Sequence, residues 1–501
     1  MQDQRERERA KIDGRACFAG AAYLMGVGLI FLLGRVGAPD GLVQALGPLF
    51  ALSGVALLGA LTRSTRVPTF FIADRAIPAV YAGLSFAAFA AGLFLCLGPP
   101  SAAPLPLAGV AIGLSVNGLI VGPLLRASGA SALSDLLATR FPNPLLKAIF
   151  TGLLLAIGIF IAIAGFEAAI DAFVALFAPA RGAAEAIVAA ILVLMIAPGG
   201  LAGLLWGGAA SAGILIIILL LPIVAQFFAD DAAIGVALRD AGLWRDAVAQ
   251  GWGPGDVHDP GTSVLVVLAS ALAVAALAPF TSPAIASFRA GQASRAGAFG
   301  LFFVALIGLA AFIDLVVWPS PAGPMSSGLK ASALLLAALA LCSAGVHSAS
   351  RARGTNAGGA YSRYMPLASQ RLARSRALTL ATIALCAGLT WRLAIDPKAA
   401  IVVAAALSLS LVAPALALAF SSRATASHAI ACVAVSLTTA VVLIVLERRI
   451  PGAERLLIGA LCAGGAGFVA GWGGAVFSRG ERDPNPARRD IFVDAPLDPS
   501  G

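Results

Sequence analysis

The chain has 501 residues, of which 59% are hydrophobic and only 12% are charged, whereas soluble proteins carry roughly 25% charged residues. The mean hydropathy is +0.93, and the 55 glycines and 29 prolines lie largely within long apolar runs. This composition excludes a disordered, collagen-like or disulfide-rich chain and predicts an all-α polytopic membrane protein. The net charge of +9 does not indicate a nucleic-acid partner, because Lys and Arg cluster in short segments between apolar runs.

The apolar runs predict about fourteen transmembrane helices, since a bilayer core of about 30 Å requires roughly 20 helical residues. The first helix follows a charged segment, 1–16, and we interpret it as an anchor and not as a cleaved signal peptide. The predicted ranges are 17–35, 41–62, 77–98, 104–125, 145–177, 183–198, 201–228, 263–285, 295–318, 329–350, 375–394, 399–420, 427–446 and 455–478.

The distribution of basic residues predicts an integral protein of the inner (cell) membrane with both termini in the cytoplasm. With the N-terminus inside, the inner segments hold 24 of the 34 Lys and Arg residues and the outer loops hold 10. The outer loop with Arg448, Arg449 and Arg455 disagrees with this orientation. The acidic segment 229–262 is expected on the outer side, either as a solvated loop or as a vestibule for cations. The tail 479–501, rich in proline and charge, is expected to be disordered.

Three motifs follow one another in a fixed order along the chain. They are Thr69–Pro78 (TFFIADRAIP), which leads into the predicted helix 77–98, then Ser134–Phe141 (SDLLATRF) and Gly199–Trp206 (GGLAGLLW). Together they resemble motifs of the sodium:solute symporter family, nearest to its branch of cation/acetate symporters. The resemblance extends over roughly residues 50–445.

The resemblance implies a LeuT-like fold, in which two five-helix repeats are inverted in the membrane. The first repeat would occupy 77–228 and the second 263–420, with two peripheral helices before them (17–62) and two after them (427–478). Such folds bind their substrate where the first helix of each repeat is interrupted.

The two helices in these positions contain residues that interrupt helices. The first carries Gly83, Gly92 and Gly98, and the second carries Pro279 and Pro283. A broken helix exposes backbone carbonyl groups that can bind a cation. A proline kink that serves only packing is the alternative interpretation.

The resemblance also implies a sodium site between the first core helix and the eighth. Its ligands would be the main-chain carbonyls of Ala88 and Ala91, together with Ala340 and the hydroxyl of Ser343. The family has a second hydroxyl where this chain has Ala344. One oxygen ligand is therefore missing, unless water or the hydroxyls of Thr281 and Ser282 replace it.

Several further side chains are candidates for contact with the solute or for coupling. Phe94 lies in the segment that contacts the solute in the family, although 90–96 is apolar in this chain. Glu167 and Asp171 are four residues apart and therefore share one helix face, where they could bind a cation or carry a proton. At the outer interface, Asp171 would simply be solvated.

Three other polar residues within predicted helices have simpler interpretations. Asp314 and His347 are expected to be satisfied polar contacts, and Asn117 is expected to form a hydrogen bond between helices. Arg289 follows the predicted break, where anchoring by the positive-inside rule explains it.

The sequence therefore predicts a secondary active transporter and not an enzyme, since Ser, His and Asp are too scattered to form a catalytic group. The expected partners are membrane lipid and a small organic solute, for which we favour a monocarboxylate such as acetate. The coupling ion would be Na⁺ or H⁺, with no cofactor and no other metal. Two alternatives stay open, namely a proton-coupled variant and a family member that has lost transport and acts as a sensor or accessory subunit.

Overall fold

The computed structural model describes residues 2–98, 104–229, 260–312, 324–352, 368–393, 395–421, 423–447 and 453–477. Most of the acidic segment 229–262, the tail 479–501 and three singled-out residues (Asp314, Arg448 and Arg449) lie outside these residues. Every regular element within the described ranges is a helix. The prediction of an all-α polytopic protein is therefore confirmed for them.

The helices are labelled in chain order. Two π-helical segments, Asn117–Val121 and Ser408–Val412, lie inside longer spans, and two 3₁₀ segments are Ala73–Arg75 and Ala278–Thr281. The helices are α1 (Gln2–Arg35), α2 (Asp40–Leu61), α3 (Val67–Ile72), α4 (Ala79–Leu97), α5 (Pro104–Val116), α6 (Gly122–Ala127), α7 (Leu133–Arg140), α8 (Pro144–Phe177), α9 (Arg181–Ile196), α10 (Leu201–Ala229), α11 (Pro260–Ala275), α12 (Ser282–Ile285), α13 (Ala290–Phe312), α14 (Pro324–Ser350), α15 (Ala368–Leu393), α16 (Pro397–Leu407), α17 (Ala413–Ala419), α18 (Ala426–Glu447) and α19 (Ala453–Phe477).

Twelve spans within the described residues are long and apolar enough to cross a bilayer. The pair formed by α11 and the segment Ala278–Ile285 makes a thirteenth, bent by 52° at its break. The remaining predicted helix corresponds to α9, whose 16 residues extend about 24 Å and fall short of the bilayer core. A count of fourteen, and the division into two inverted repeats, therefore stay predictions.

The central helices of the bundle include α4, α8 and α14, each of which buries most of one 18-residue stretch, as does the span Pro397–Ala419. By contrast, only a small share of the residues of α1, α18 and α19 is buried, as expected for helices that face lipid. Glycines let the central helices touch through their backbones. A Cβ atom added at Gly165 of α8 would lie 2.5 Å from the Cys342 nitrogen, and one at Gly345 of α14 would lie 2.5 Å from the Ala162 nitrogen.

The structure differs from the sequence prediction at the first core helix, since α4 is continuous from Ala79 to Leu97. Its glycines serve helix packing. A Cβ at Gly83 would lie 2.7 Å from the Cβ of Phe299, and Gly92 lies against the backbone of Ala337. Gly98 follows the helix with φ +85°, a conformation that favours glycine, and it ends the helix instead of interrupting it.

The predicted interruption of the second helix is present. The helix α11 ends at Ala275, and a 3₁₀ turn over Ala278–Thr281 leads into α12. Pro279 lacks the N–H group that a continuous helix would use, and it disfavours helical geometry in the residue before it. This break is the feature around which the polar groups of the core are arranged.

Candidate functional site

Two buried side chains satisfy the backbone carbonyls that the break in α11 releases. The side-chain amide of Asn117 donates to the carbonyl oxygens of Ala275 at 2.9 Å and Leu277 at 3.2 Å, with a longer contact of 3.4 Å to Val274. The Ser408 hydroxyl donates to the Ala273 carbonyl at 2.9 Å. The prediction that Asn117 forms a hydrogen bond between helices is confirmed.

Both of these side chains begin a π-helical segment. Asn117 opens Asn117–Val121, and Ser408 opens Ser408–Val412. Single-turn π-helices are rare and occur frequently at functional sites. Here they direct one polar side chain each towards the broken helix. The Asn117 Oδ1 atom is buried and has no hydrogen-bond partner among the described residues, so it is an additional acceptor beside the break.

The predicted sodium ligands lie on two helices that pack directly against each other, α4 and α14. Ala88, Ala340 and Ser343 are fully buried. Within the continuous α4, the carbonyls of Ala88 and Ala91 accept the helical hydrogen bonds of residues four positions later. The Ser343 hydroxyl donates to the Ala340 carbonyl at 2.8 Å. Each of these oxygens therefore has only its second lone pair left for a sodium ion, and the assignment stays a prediction.

The remaining solute candidates occupy different positions. Phe94 is half-buried on α4 and packs against the central core. Thr281 and Ser282 are buried directly after the break, and the Thr281 hydroxyl donates to the Ala278 carbonyl at 2.7 Å. Ser282 and Thr281 line a small cavity on one side of the break, so both are accessible to a ligand there.

Glu167 lies in a group of three carboxylates around one guanidinium. Glu167 and Arg181 form a short ion pair, while Arg181 lies 3.4 Å from Asp171 and 3.5 Å from Glu185. Contact with the same arginine confirms that Glu167 and Asp171 share a helix face. The Glu167 side chain is 3% exposed and that of Asp171 is 61% exposed, so Asp171 is solvated and Glu167 is not.

The charge of this group favours cations. Three carboxylates and one guanidinium give a formal charge of −2, and the Glu167 Oε1 atom is buried without a hydrogen-bond partner in the described part of the chain. Burial acts to lower the pKa of Arg181, but Glu167, with Asp171 and Glu185, raises it above its usual value. The arginine therefore stays charged, and Glu167 keeps one oxygen for another ligand or a proton.

A second cavity, of about 60 Å³, lies on the other side of the break from Thr281 and Ser282. It is mostly apolar and admits about four water-sized groups. Lys398 of α16 and Glu454 of α19 line it with opposite charges, and the buried Ser270 hydroxyl has no hydrogen-bond partner among the described residues. The wall also includes Leu93, Leu97, Val110, Val274 and Leu277.

Two arginines, Arg140 and Arg351, donate hydrogen bonds to backbone carbonyls of neighbouring segments. Arg140 contacts the carbonyls of Ala419 at 3.2 Å, Ser421 at 2.7 Å and Ala424 at 2.8 Å. Arg351 donates to the Ser131 carbonyl at 2.6 Å. Arg140 belongs to the predicted motif Ser134–Phe141, for which no contact was predicted, and Arg351 was not singled out from the sequence. The spacing of four between His347 and Arg351, whose side chains meet at 3.1 Å, was the available signal for a contact.

The fold resembles that of a solved transporter. A Na⁺-coupled sialic acid symporter, solved in a substrate-bound outward-open state, matches with a TM-score of 0.67 and 16% sequence identity, over 88% of this chain and 98% of that one. The two chains share a fold. A manganese transporter variant of Eremococcus coleocola aligns over 83% of this chain and 97% of its own at 15% identity, but its TM-score of 0.43 is too low to support an argument. No protein-family model and no curated protein matches the sequence.

Proposed function

We propose that the protein is a secondary active transporter that moves a small organic solute by alternating access. The observation that carries the proposal is the fold shared with a Na⁺-coupled symporter over 98% of that protein's length. The break in α11, with its buried amide and hydroxyl contacts, supplies the irregular backbone that a membrane protein tolerates where it surrounds a ligand. The inverted repeats at 77–228 and 263–420 belong to this proposal.

The solute we propose is a small monocarboxylate such as acetate. The 60 Å³ cavity beside the break has mostly apolar walls, with the Lys398 ammonium and the Glu454 carboxylate among its lining groups. We assign the apolar body of the solute to these walls and its carboxylate to Lys398, where it would compete with Glu454. Lys398→Gln is expected to raise the KM for acetate and leave the maximal rate nearly unchanged, because it removes a binding contact. An unchanged KM would contradict this assignment.

Sodium is the coupling ion that we favour. The test is uptake of labelled acetate into proteoliposomes under an inward sodium gradient, with choline as the matched cation. Accumulation that needs sodium supports symport, and equal accumulation in choline contradicts it. In detergent, sodium titrated against choline should raise the thermal midpoint saturably. The rise should disappear in Ser343→Ala and persist in Ser410→Ala, a serine outside the proposed ion site.

A proton-coupled variant is supported by the buried Glu167 carboxylate with its unpartnered Oε1 atom. Uptake would then follow a pH gradient in choline. Glu167→Gln should abolish that uptake while leaving exchange of labelled for unlabelled solute intact. Loss of exchange as well would point to a general defect and contradict the proton role.

A transport-defective sensor or accessory subunit is supported by the continuous α4, in which the carbonyls of Ala88 and Ala91 accept helical hydrogen bonds. Solute counterflow in liposomes decides this alternative. Any counterflow above that of empty liposomes excludes it, whatever the coupling ion.

A further inference from the structure

A small polar cavity of about 20 Å³ lies where α7, α12 and α14 meet, on the side of the break away from Lys398. Its volume admits one species of the size of a water molecule. The polar side chains that line it are hydroxyls and one basic pair. They belong to Ser131, Ser134, Thr281, Ser282, His347, Ser348 and Arg351.

Arg351 is the charged group of this cavity, and it is only 7% exposed. One terminal nitrogen lies 3.1 Å from the His347 Nε2 atom, and the other donates to the Ser131 carbonyl at 2.6 Å. The third donor, the Nε–H group, is buried and has no hydrogen-bond partner among the described residues. A buried charged donor without a partner is costly, so a ligand that accepts from it would be stabilised.

The charges around Arg351 leave it only partly compensated. Asp135 is the carboxylate that acts on it, and its Oδ2 atom already accepts a short hydrogen bond from the Ser131 hydroxyl. Burial lowers the pKa of Arg351 to about 10, and Asp135 opposes this change. The guanidinium therefore stays protonated at neutral pH, and the cavity repels cations.

Ser134 supplies a second unused donor at the same cavity. Its hydroxyl is buried and has no hydrogen-bond partner within the described residues. Two unpartnered buried groups, one of them cationic, thus line a space of single-ion size. Water could accept from either donor, but a monovalent anion would also neutralise the buried charge.

We propose that this cavity is a binding site for a small monovalent anion, either a halide or the head of a short carboxylate, held by the Arg351 Nε–H and the Ser134 hydroxyl. The cavity shares Thr281 and Ser282 with the solute candidates, but neither Lys398 nor any of the predicted sodium ligands lines it. It does not require transport.

Arg376 provides a matched control. Like Arg351, it donates to backbone carbonyls, those of Ser64 at 2.5 Å and Pro198 at 3.2 Å. Each arginine also lies over one ring of the Phe70–Phe71 pair, Arg376 at 6.0 Å and Arg351 at 5.5 Å. Arg376 does not line the small cavity. Substituting either arginine removes its hydrogen bonds to backbone carbonyls, but only the substitution of Arg351 removes the proposed anion ligand.

The experiment measures the thermal midpoint of the full-length protein in detergent at fixed sodium and ionic strength. Gluconate is replaced stepwise by chloride, bromide, formate or acetate. Small anions should raise the midpoint saturably in the wild type and in Arg376→Gln. Ser134→Ala should raise the half-saturating concentration roughly tenfold, and Arg351→Gln should abolish the response.

Binding of labelled formate, with chloride as competitor, distinguishes the sources of the anion. Competition by chloride supports a general small-anion site, while binding of carboxylates alone supports a site for the head group of the solute. A response equal to that of gluconate, or one that survives in Arg351→Gln, overturns the proposal. No gradient is present, so failed transport in liposomes leaves this result unaffected.

Discussion

The side-chain amide of Asn117 donates to the carbonyl oxygen of Ala275 at 2.9 Å, across 158 residues of chain. This contact and its neighbours hold the end of α11 in place after the helical hydrogen bonds stop. We expect Asn117→Leu to destabilise the protein by about 2–4 kcal/mol, because it leaves several buried carbonyls unpaired. Ser115→Ala, two residues earlier at a half-buried position, removes only a contact to the Ala111 carbonyl of the same helix and should change the thermal midpoint little. Equal midpoints for the two variants would show that the amide contacts do not stabilise the break.

The ion pair between Glu167 and Arg181 joins α8 to the start of α9, and it gives a second prediction. Glu167→Gln should lower stability by about 1–3 kcal/mol, less than a fully buried pair, because Arg181 can gain water. Asp171→Asn should lower it by less than about 1 kcal/mol, since its carboxylate is exposed. Thermal unfolding of Glu167→Gln, of Arg181→Gln and of the variant that combines them measures the coupling, and Asp171→Asn is the exposed control. Additive effects in the double variant would contradict the pairing.

The contact between α8 and α14 depends on glycine at position 165. A methyl group there would lie 2.5 Å from the Cys342 nitrogen and 2.7 Å from the Ala338 oxygen. Gly165→Ala should therefore destabilise by about 1–3 kcal/mol, because the two helices must separate. Gly152→Ala on the same helix has no neighbouring atom within 4 Å and should stabilise slightly through helix propensity. The order of the two midpoints checks the packing, and the reverse order would contradict it.

Arg140 joins the end of α7 to the segment after α17 through three carbonyl oxygens. Arg140→Lys should destabilise by about 1–2 kcal/mol, since a lysine ammonium cannot reproduce the geometry of the guanidinium fork. Arg374→Lys, at an exposed position, is the charge-matched control. A larger loss in the control than in Arg140→Lys would rule out this role.

Local sequence signals predicted the parts of the fold that depend on local physics. The apolar runs located most of the helices, Pro279 located the break, and the spacing of Glu167 and Asp171 located their shared face. A buried asparagine within an apolar helix needs a partner, so Asn117 was expected to form its hydrogen bond. The effect of Pro279 and the spacing of Glu167 and Asp171 are properties of a single helix. For Asn117, the high free-energy cost of a buried unpaired amide made a partner predictable.

The role of a residue that contacts a neighbouring helix could not be predicted from its own helix alone. Glycine allows both a broken helix and a close contact between helices, and only the partner decides between them. Gly83 and Gly92 were therefore assigned to a break that α4 does not contain. Arg351 was overlooked for a similar reason, because its unpartnered nitrogen becomes visible only once α7 and α12 are placed beside it.

The glycine contacts also restrict which parts of the molecule can move. Gly165 and Gly345 set the backbones of α8 and α14 against each other, so that sliding by a fraction of a turn would bring a carbonyl oxygen into an adjacent Cβ atom. Close-packed interfaces of this kind favour discrete arrangements over continuous deformation. In the proposed transport cycle, α8 and α14 should therefore move as one rigid body, with the hinge at the bend between Ala275 and Ala278. The distance between these two helices would then stay constant while the other helices move relative to them.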